Sequence, residues 1–138
     1  AAGDPAACGR RRRPAGDDPV EVEPGDTCAR CGMVISDMRH VGEIIGDRDV
    51  WKFDDVGELF IYRQEQGLSD GDVRATYVKG YDTGQWVEAG SAHYVVAPDV
   101  ATPMGTHVLA LAEEDSVGAY TVSESARERT YEELLADP

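Results

Sequence analysis

At 138 residues with 41% hydrophobic content, the chain is long enough for one hydrophobic core and too short for two. Its formal net charge is -14, with 27 acidic residues against 13 lysines and arginines, a balance that repels DNA and anionic lipid and argues against a nucleic-acid partner. Such a surface favours a soluble monomer and suits a high-salt milieu.

Residues 1–25 are dominated by Ala, Gly, Pro, Asp and Arg. So little apolar surface cannot offset the entropy of ordering, which predicts a disordered tether ahead of one domain over residues 26–138. Within the tether, Ala6-Ala7-Cys8-Gly9 resembles the end of a lipoprotein signal, in which Cys8 would carry the lipid anchor; an ordinary tail cysteine is the other reading. Arg10 to Arg13 read as a solvated charge run. No apolar run approaches the ~18 residues of a membrane span.

Thr27-Cys28-Ala29-Arg30-Cys31-Gly32-Met33 places two thiols and a thioether in one tight turn, with Gly32 free to take a left-handed backbone. Val41 to Ile45 and Val50 to Phe53 are β-favouring runs separated by four residues, a hairpin. Asp55 is placed to cap a helix through Val56, Leu59 and Phe60 that stops at Gly67, with Glu58 reaching back to close a capping box. Further strands are expected over 73–78, 86–88, 93–96 and 108–112, and Thr130-x-x-Glu133 starts a short last helix. Mixed rather than alternating strands and helices predict an α+β fold, antiparallel strands with short helices packed as ββα-like units.

The chemistry resides in sulfur. Thiolate and thioether donors favour copper(I) over hard ions because polarizable ligands match a polarizable, low-charge metal. Met104 sits in Thr102-Pro103-Met104-Gly105-Thr106, where proline and glycine fix a loop, so it reads as a ligand; Met38 reads as core filling. The expected copper(I) site is Cys28 or Cys31 with Met104, completed by Met33 or His107. Zinc is the sharpest competitor, but the other half of a tetrahedral site is missing: there is no second C-x-x-C and no H-x(3-5)-H, only the scattered His40, His93 and His107. A Cys28–Cys31 disulfide and a thiol enzyme, redox or lyase, stay open as further readings. Asp54-Asp55 reads as helix capping, and no catalytic grouping stands out, so an enzyme is not expected.

Cys28-x-x-Cys31-Gly32-Met33-Val34-Ile35 resembles the NosL family of copper-binding lipoproteins associated with assembly of nitrous oxide reductase. The resemblance continues through Phe53-Asp54-Asp55-Val56-x-Glu58-Leu59-Phe60, Tyr77-Val78, Trp86-Val87-x-Ala89-x-x-Ala92-x-Tyr94-Val95-Val96 and Pro103-Met104-Gly105. It implies a copper(I) site of Cys and Met and an extracytoplasmic chaperone that hands copper to apo nitrous oxide reductase or another copper-accepting protein. The match is weak after Ala112, which leaves partner docking open.

Overall fold

The computed structural model describes residues 10–12 and 17–138; Cys8 and Arg13 lie outside them. The predicted hairpin forms from β2 (Gly42–Ile45) and β3 (Asp49–Phe53), with Ile45 opposite Val50 and Gly42 opposite Phe53. Gly46 N donates to Asp49 O at 2.9 Å, so the turn is tighter than four residues. Arg10–Arg12 (β1) pairs with β3 on the outside, where composition predicts only a solvated tail. On the other side β2 pairs with β4 (Ala75–Lys79), and β4 with β5 (Trp86–Glu88), all antiparallel. Among the described residues this gives a five-stranded sheet in the order β1-β3-β2-β4-β5.

Helix α1 (Val56–Glu65) follows β3 directly, because Asp55 accepts from Gly57 N at 3.0 Å and satisfies one orphan donor of the first turn. The expected capping box is not made: Glu58 turns to Arg30 instead, at 2.6 Å. A guanidinium brings a buried carboxylate a full opposite charge as well as a hydrogen bond, whereas a backbone N–H brings only the bond.

A second, three-stranded sheet has the order β7-β6-β8, from β6 (His93–Val96), β7 (Val108–Leu111) and β8 (Arg127–Arg129). β8 and the one-turn helix α2 (Val117–Tyr120) have no signal in the sequence, since Arg127-Glu128-Arg129 is a charged edge strand with little periodicity. Tyr94, Val108 and Ala110 face one core with Phe53, Leu59, Phe60 and Leu134, while Val95, Leu109 and Leu111 face a smaller one. Burial on both faces explains why β7 reads Val-Leu-Ala-Leu with no polar alternation. Helix α3 (Tyr131–Ala136) closes the core through Leu134; its capping box forms as predicted, Glu133 N to Thr130 Oγ1 at 3.1 Å and Thr130 N to Glu133 Oε1 at 2.8 Å.

The ordered body begins ahead of residue 26. Tyr77 Oη donates to Asp17 O at 2.7 Å, and Val20 N donates to Glu43 Oε1 and Lys52 Nζ to Glu21 O at 2.5 Å each. Residues 17–26 form a strap across the larger sheet, held by buried polar side chains that a composition count does not register. Glu43 is fully buried, and burial pushes its carboxyl up to about 7 from an ordinary 4.5, against the pull of Val20 N–H and of Lys52 and Lys79. A folded-state value above the unfolded one means the fold binds this proton more tightly. The associated stability is therefore full below pH 4.5 and is lost as pH rises through 7, by about 3 kcal/mol. Glu43→Gln is expected to remove that slope, so that urea unfolding between pH 5 and 8 shows the variant gaining steadily on the wild type. Parallel curves for the two proteins would rule it out.

Candidate metal centre

The cysteine knuckle is a small closed hairpin. Cys28 N donates to Met33 O at 2.8 Å, Gly32 N to Cys28 O at 2.9 Å, and an isolated bridge joins Thr27 to Val34. Gly32 carries φ +76°, the left-handed geometry that the sequence predicts there. The hairpin docks on β3 through Ala29 N to Lys52 O at 2.7 Å, and on α1 through Arg30. Arg30 donates from Nε and Nη2 to the two oxygens of Glu65 at 3.0 Å each, and from Nη1 to Glu58.

This docking brings four donors together. Cys28, Cys31, Asp54 and Glu58 each place one ligand atom within 4.8 Å of the others. Cys28 is fully buried, whereas Cys31 is half-buried and donates to Asp54 Oδ2 at 3.5 Å. Burial pushes the Cys28 thiol up; burial, with Cys28 and the Asp54 charge behind it, pushes Cys31 up to about 12. At neutral pH both are therefore thiols until a cation displaces their protons. Burial also raises the Glu58 carboxyl, opposed by Arg30.

Of the other predicted ligands, Met33 is 59% exposed on the same knuckle. Met104, 40% exposed, is carried by the loop between β6 and β7, and that loop is tied to the residue next to Asp54. Met104 N donates to Asp55 Oδ2 at 2.9 Å, and Thr106 Oγ1 donates to Asp55 Oδ1. A cleft of about 370 Å³ opens between the knuckle and this loop, lined by Val34, Asp37, Asp54, Thr102 and Pro103 among others. The two sulfur-bearing places therefore share one side of the molecule. His107 sits at φ +61° with Nδ1 2.8 Å from Val100 O, outside the four-donor group. His40 and His93 do not join it either; His40 is buried with its ring centroid 5.1 Å from that of Tyr81.

Asp54 and Glu58 are the members of this candidate group that sequence reasoning missed. Asp55 is the cap, which leaves Asp54 one residue outside the helix, and Glu58 four residues later lies over the same turn; that i,i+4 carboxylate spacing was the available signal. Gly57 lets the methionine loop approach: a Cβ there would overlap the Thr106 side chain. Gly57→Ala is expected to displace the loop from α1 and cost about 1–3 kcal/mol by overpacking, seen as a lower urea midpoint with an unchanged m-value.

The NosL family model matches residues 19–137. The chain belongs to the NosL family. Copper-binding lipoprotein NosL of Stutzerimonas stutzeri is 29% identical over 125 residues, covering 85% of this chain; the chain spans 66%, just under two thirds, of that relative. The crystal structure of the copper chaperone NosL from Shewanella denitrificans superposes with a TM-score of 0.72 at 17% identity, covering 84% of this chain and 94% of that one. The NosL fold is thus present here, as the α+β expectation required. Both relatives are named for copper, and neither as an enzyme.

Proposed function

We propose that this NosL-family chain is a copper(I)-binding accessory protein, a metallochaperone that holds copper as cargo and passes it to an extracytoplasmic copper enzyme. The observation that supports it most is the thiol pair: one sulfur anchored in the core, the other half-buried and bonded to Asp54, which lines an open cleft, both in a family whose relatives carry copper in their names. Soft sulfur matches copper(I). Cys28 and Cys31 hold the ion, and Met104 supplies a thioether from the facing loop. Met33, exposed on the same knuckle, and His107 through Nε2 are the donors left to complete the site. A receiving protein reaches the half-buried Cys31 side first, which suits transfer by ligand exchange. Apo nitrous oxide reductase is the receiver that the sequence resemblance implies, and a lipid on Cys8 would keep the chain at the membrane.

Anaerobic copper(I) titration with X-ray absorption spectroscopy tests this: one ion per chain in a sulfur-dominated shell is expected, and Met104→Leu should weaken binding about tenfold, some 1.4 kcal/mol. Absence of stoichiometric copper(I) binding by the reduced wild-type chain would overturn the reading.

A further inference from the structure

The last turn of α1, away from the cysteine knuckle, borders a second polar cleft of about 350 Å³, lined by Arg63, Asp70, Arg74, Thr76, Glu88 and Tyr131 among others. It shares no residue with the four-donor group or with the Met104 loop. Arg63 is its centre. The guanidinium side chain is only 9% exposed, and it donates from Nε to Leu68 O at 3.2 Å, from Nη1 to Tyr131 Oη at 3.4 Å and from Nη2 to Asp70 Oδ1 at 2.5 Å. A guanidinium carries paired N–H groups on each terminal nitrogen, so Nη1 and Nη2 each retain a donor for an incoming carboxylate.

Asp70 is an unequal partner. Its side chain is 99% exposed, so a cation taken almost wholly out of water draws its counter-charge from a group standing in it. The loop does not need that contact to close: Ser69 N and Oγ donate to Asp72 Oδ2 at 2.9 and 3.0 Å, and Asp72 N donates back to Ser69 O at 3.0 Å. Asp70 can therefore swing into solvent with the turn intact, while α1 and the Leu68 carbonyl keep Arg63 in place. An ion pair with one fully solvated member contributes little and exchanges readily.

We infer that this cleft binds a small organic monocarboxylate, which takes the place of Asp70 on Arg63. Charge selects the class. In the lining, Arg63 and Arg74 are matched by Asp70 and Glu88, and Arg74 is held in addition by Asp17 and Asp47. Exchanging one carboxylate for another keeps that balance, whereas a phosphate dianion adds a charge beside Glu88. Val73, Ala75 and Ala89 give the wall an apolar stretch for a short aliphatic stem, and the volume lies at the small end of ligand pockets. Binding is an exchange of ion pairs in which no covalent bond changes. Copper(I) plays no part in it, so its outcome leaves the chaperone reading untouched.

The test is NMR titration of the reduced full chain at constant ionic strength, in the wild type, Asp70→Asn and Arg63→Lys. The probes are butyrate, acetyl-Ala-Ala as a carboxylate borne on a peptide end, inorganic phosphate and chloride. Butyrate is expected to shift the Arg63 Nε–H and the Gly90 and Ser91 amide signals saturably, with a Kd of about 1–10 mM, within the bound for a ligand of about six heavy atoms. Asp70→Asn removes the internal competitor and should tighten butyrate by about threefold or more, the worth of the displaced ion pair. Arg63→Lys keeps the charge, loses the fork and should weaken it about tenfold. A purely structural ion pair predicts otherwise for Asp70→Asn, a looser Arg63 with no gain in butyrate affinity. If Arg63→Lys does not fold, Asp70→Asn still decides, because its turn closes through Ser69 and Asp72. Saturation by butyrate and by acetyl-Ala-Ala, in either order of affinity, upholds the site and names the source of the carboxylate. Equal effects of butyrate and chloride, tighter binding of phosphate, or unchanged butyrate affinity in Asp70→Asn would overturn the proposal.

Discussion

Replacing Lys52 with methionine is expected to lower the unfolding free energy by about 3–5 kcal/mol, and the melting temperature by more than about 10 °C. Lys52 Nζ lies 2.9 Å from Asp26 Oδ2, with both side chains almost wholly out of solvent, and also donates to Glu21 O. Breaking a buried pair from one side strands a carboxylate in a low-dielectric interior, which costs far more than the pair contributes when intact. Asp26 O in turn accepts from Ile35 N at 2.8 Å, so the loss spreads to the base of the cysteine knuckle. Asp26→Asn added to the methionine variant should recover part of the loss, because a neutral amide is cheaper to bury than a stranded charge. Chemical denaturation at neutral pH decides it; a single variant within about 1 kcal/mol of the wild type would refute the assignment.

The second large effect is on the metal. Cys31→Ser is expected to weaken copper(I) binding by about 100-fold or more, beyond what loss of an outer-shell partner costs, while the unfolding curve stays close to the wild type, because Cys31 is only half-buried. Cys28→Ser should cost both affinity and about 1–3 kcal/mol of stability, since it puts a hydroxyl in the main core beside Phe53 and Leu59. The two cysteines are thus unequal, one a core residue that also offers its sulfur and the other a surface donor. Competition against a chromophoric copper(I) chelator, read beside urea curves, separates the two effects. Wild-type affinity in Cys31→Ser would remove that cysteine from the site.

Much of this architecture was legible in the sequence where periodicity and cap chemistry agree. The hairpin, α1, the strands at 86–88 and 93–96 and the Thr130 capping box each rest on a local rule obeyed within a few residues. Sequence failed where distant partners decide. Glu58 left its cap for Arg30, 28 residues away. The strap over 17–26 reads as a tether because its anchors, Glu43 and Lys52, are buried charges deep in the sheet. β8 owes its strand to pairing with β6 rather than to its own composition. The same logic governs the site: the C-x-x-C motif is visible alone, but Asp54 gains its place only when Ala29 docks on Lys52 and swings the thiols over the end of β3.

The knuckle rests on the larger sheet, and the Met104 loop is a spur of the smaller one; the dipeptide Asp54-Asp55 is where they meet. An opening of the Met104 loop alone would lift the thioether away and leave the thiol pair standing. Local openings of that kind cost much less than global denaturation. Under the copper(I) reading, the grip on the cargo then has two settings, firm with both halves closed and slack with one ajar. Its dwell time would then be set by how often that loop opens, and delivery would not require the body of the protein to come apart.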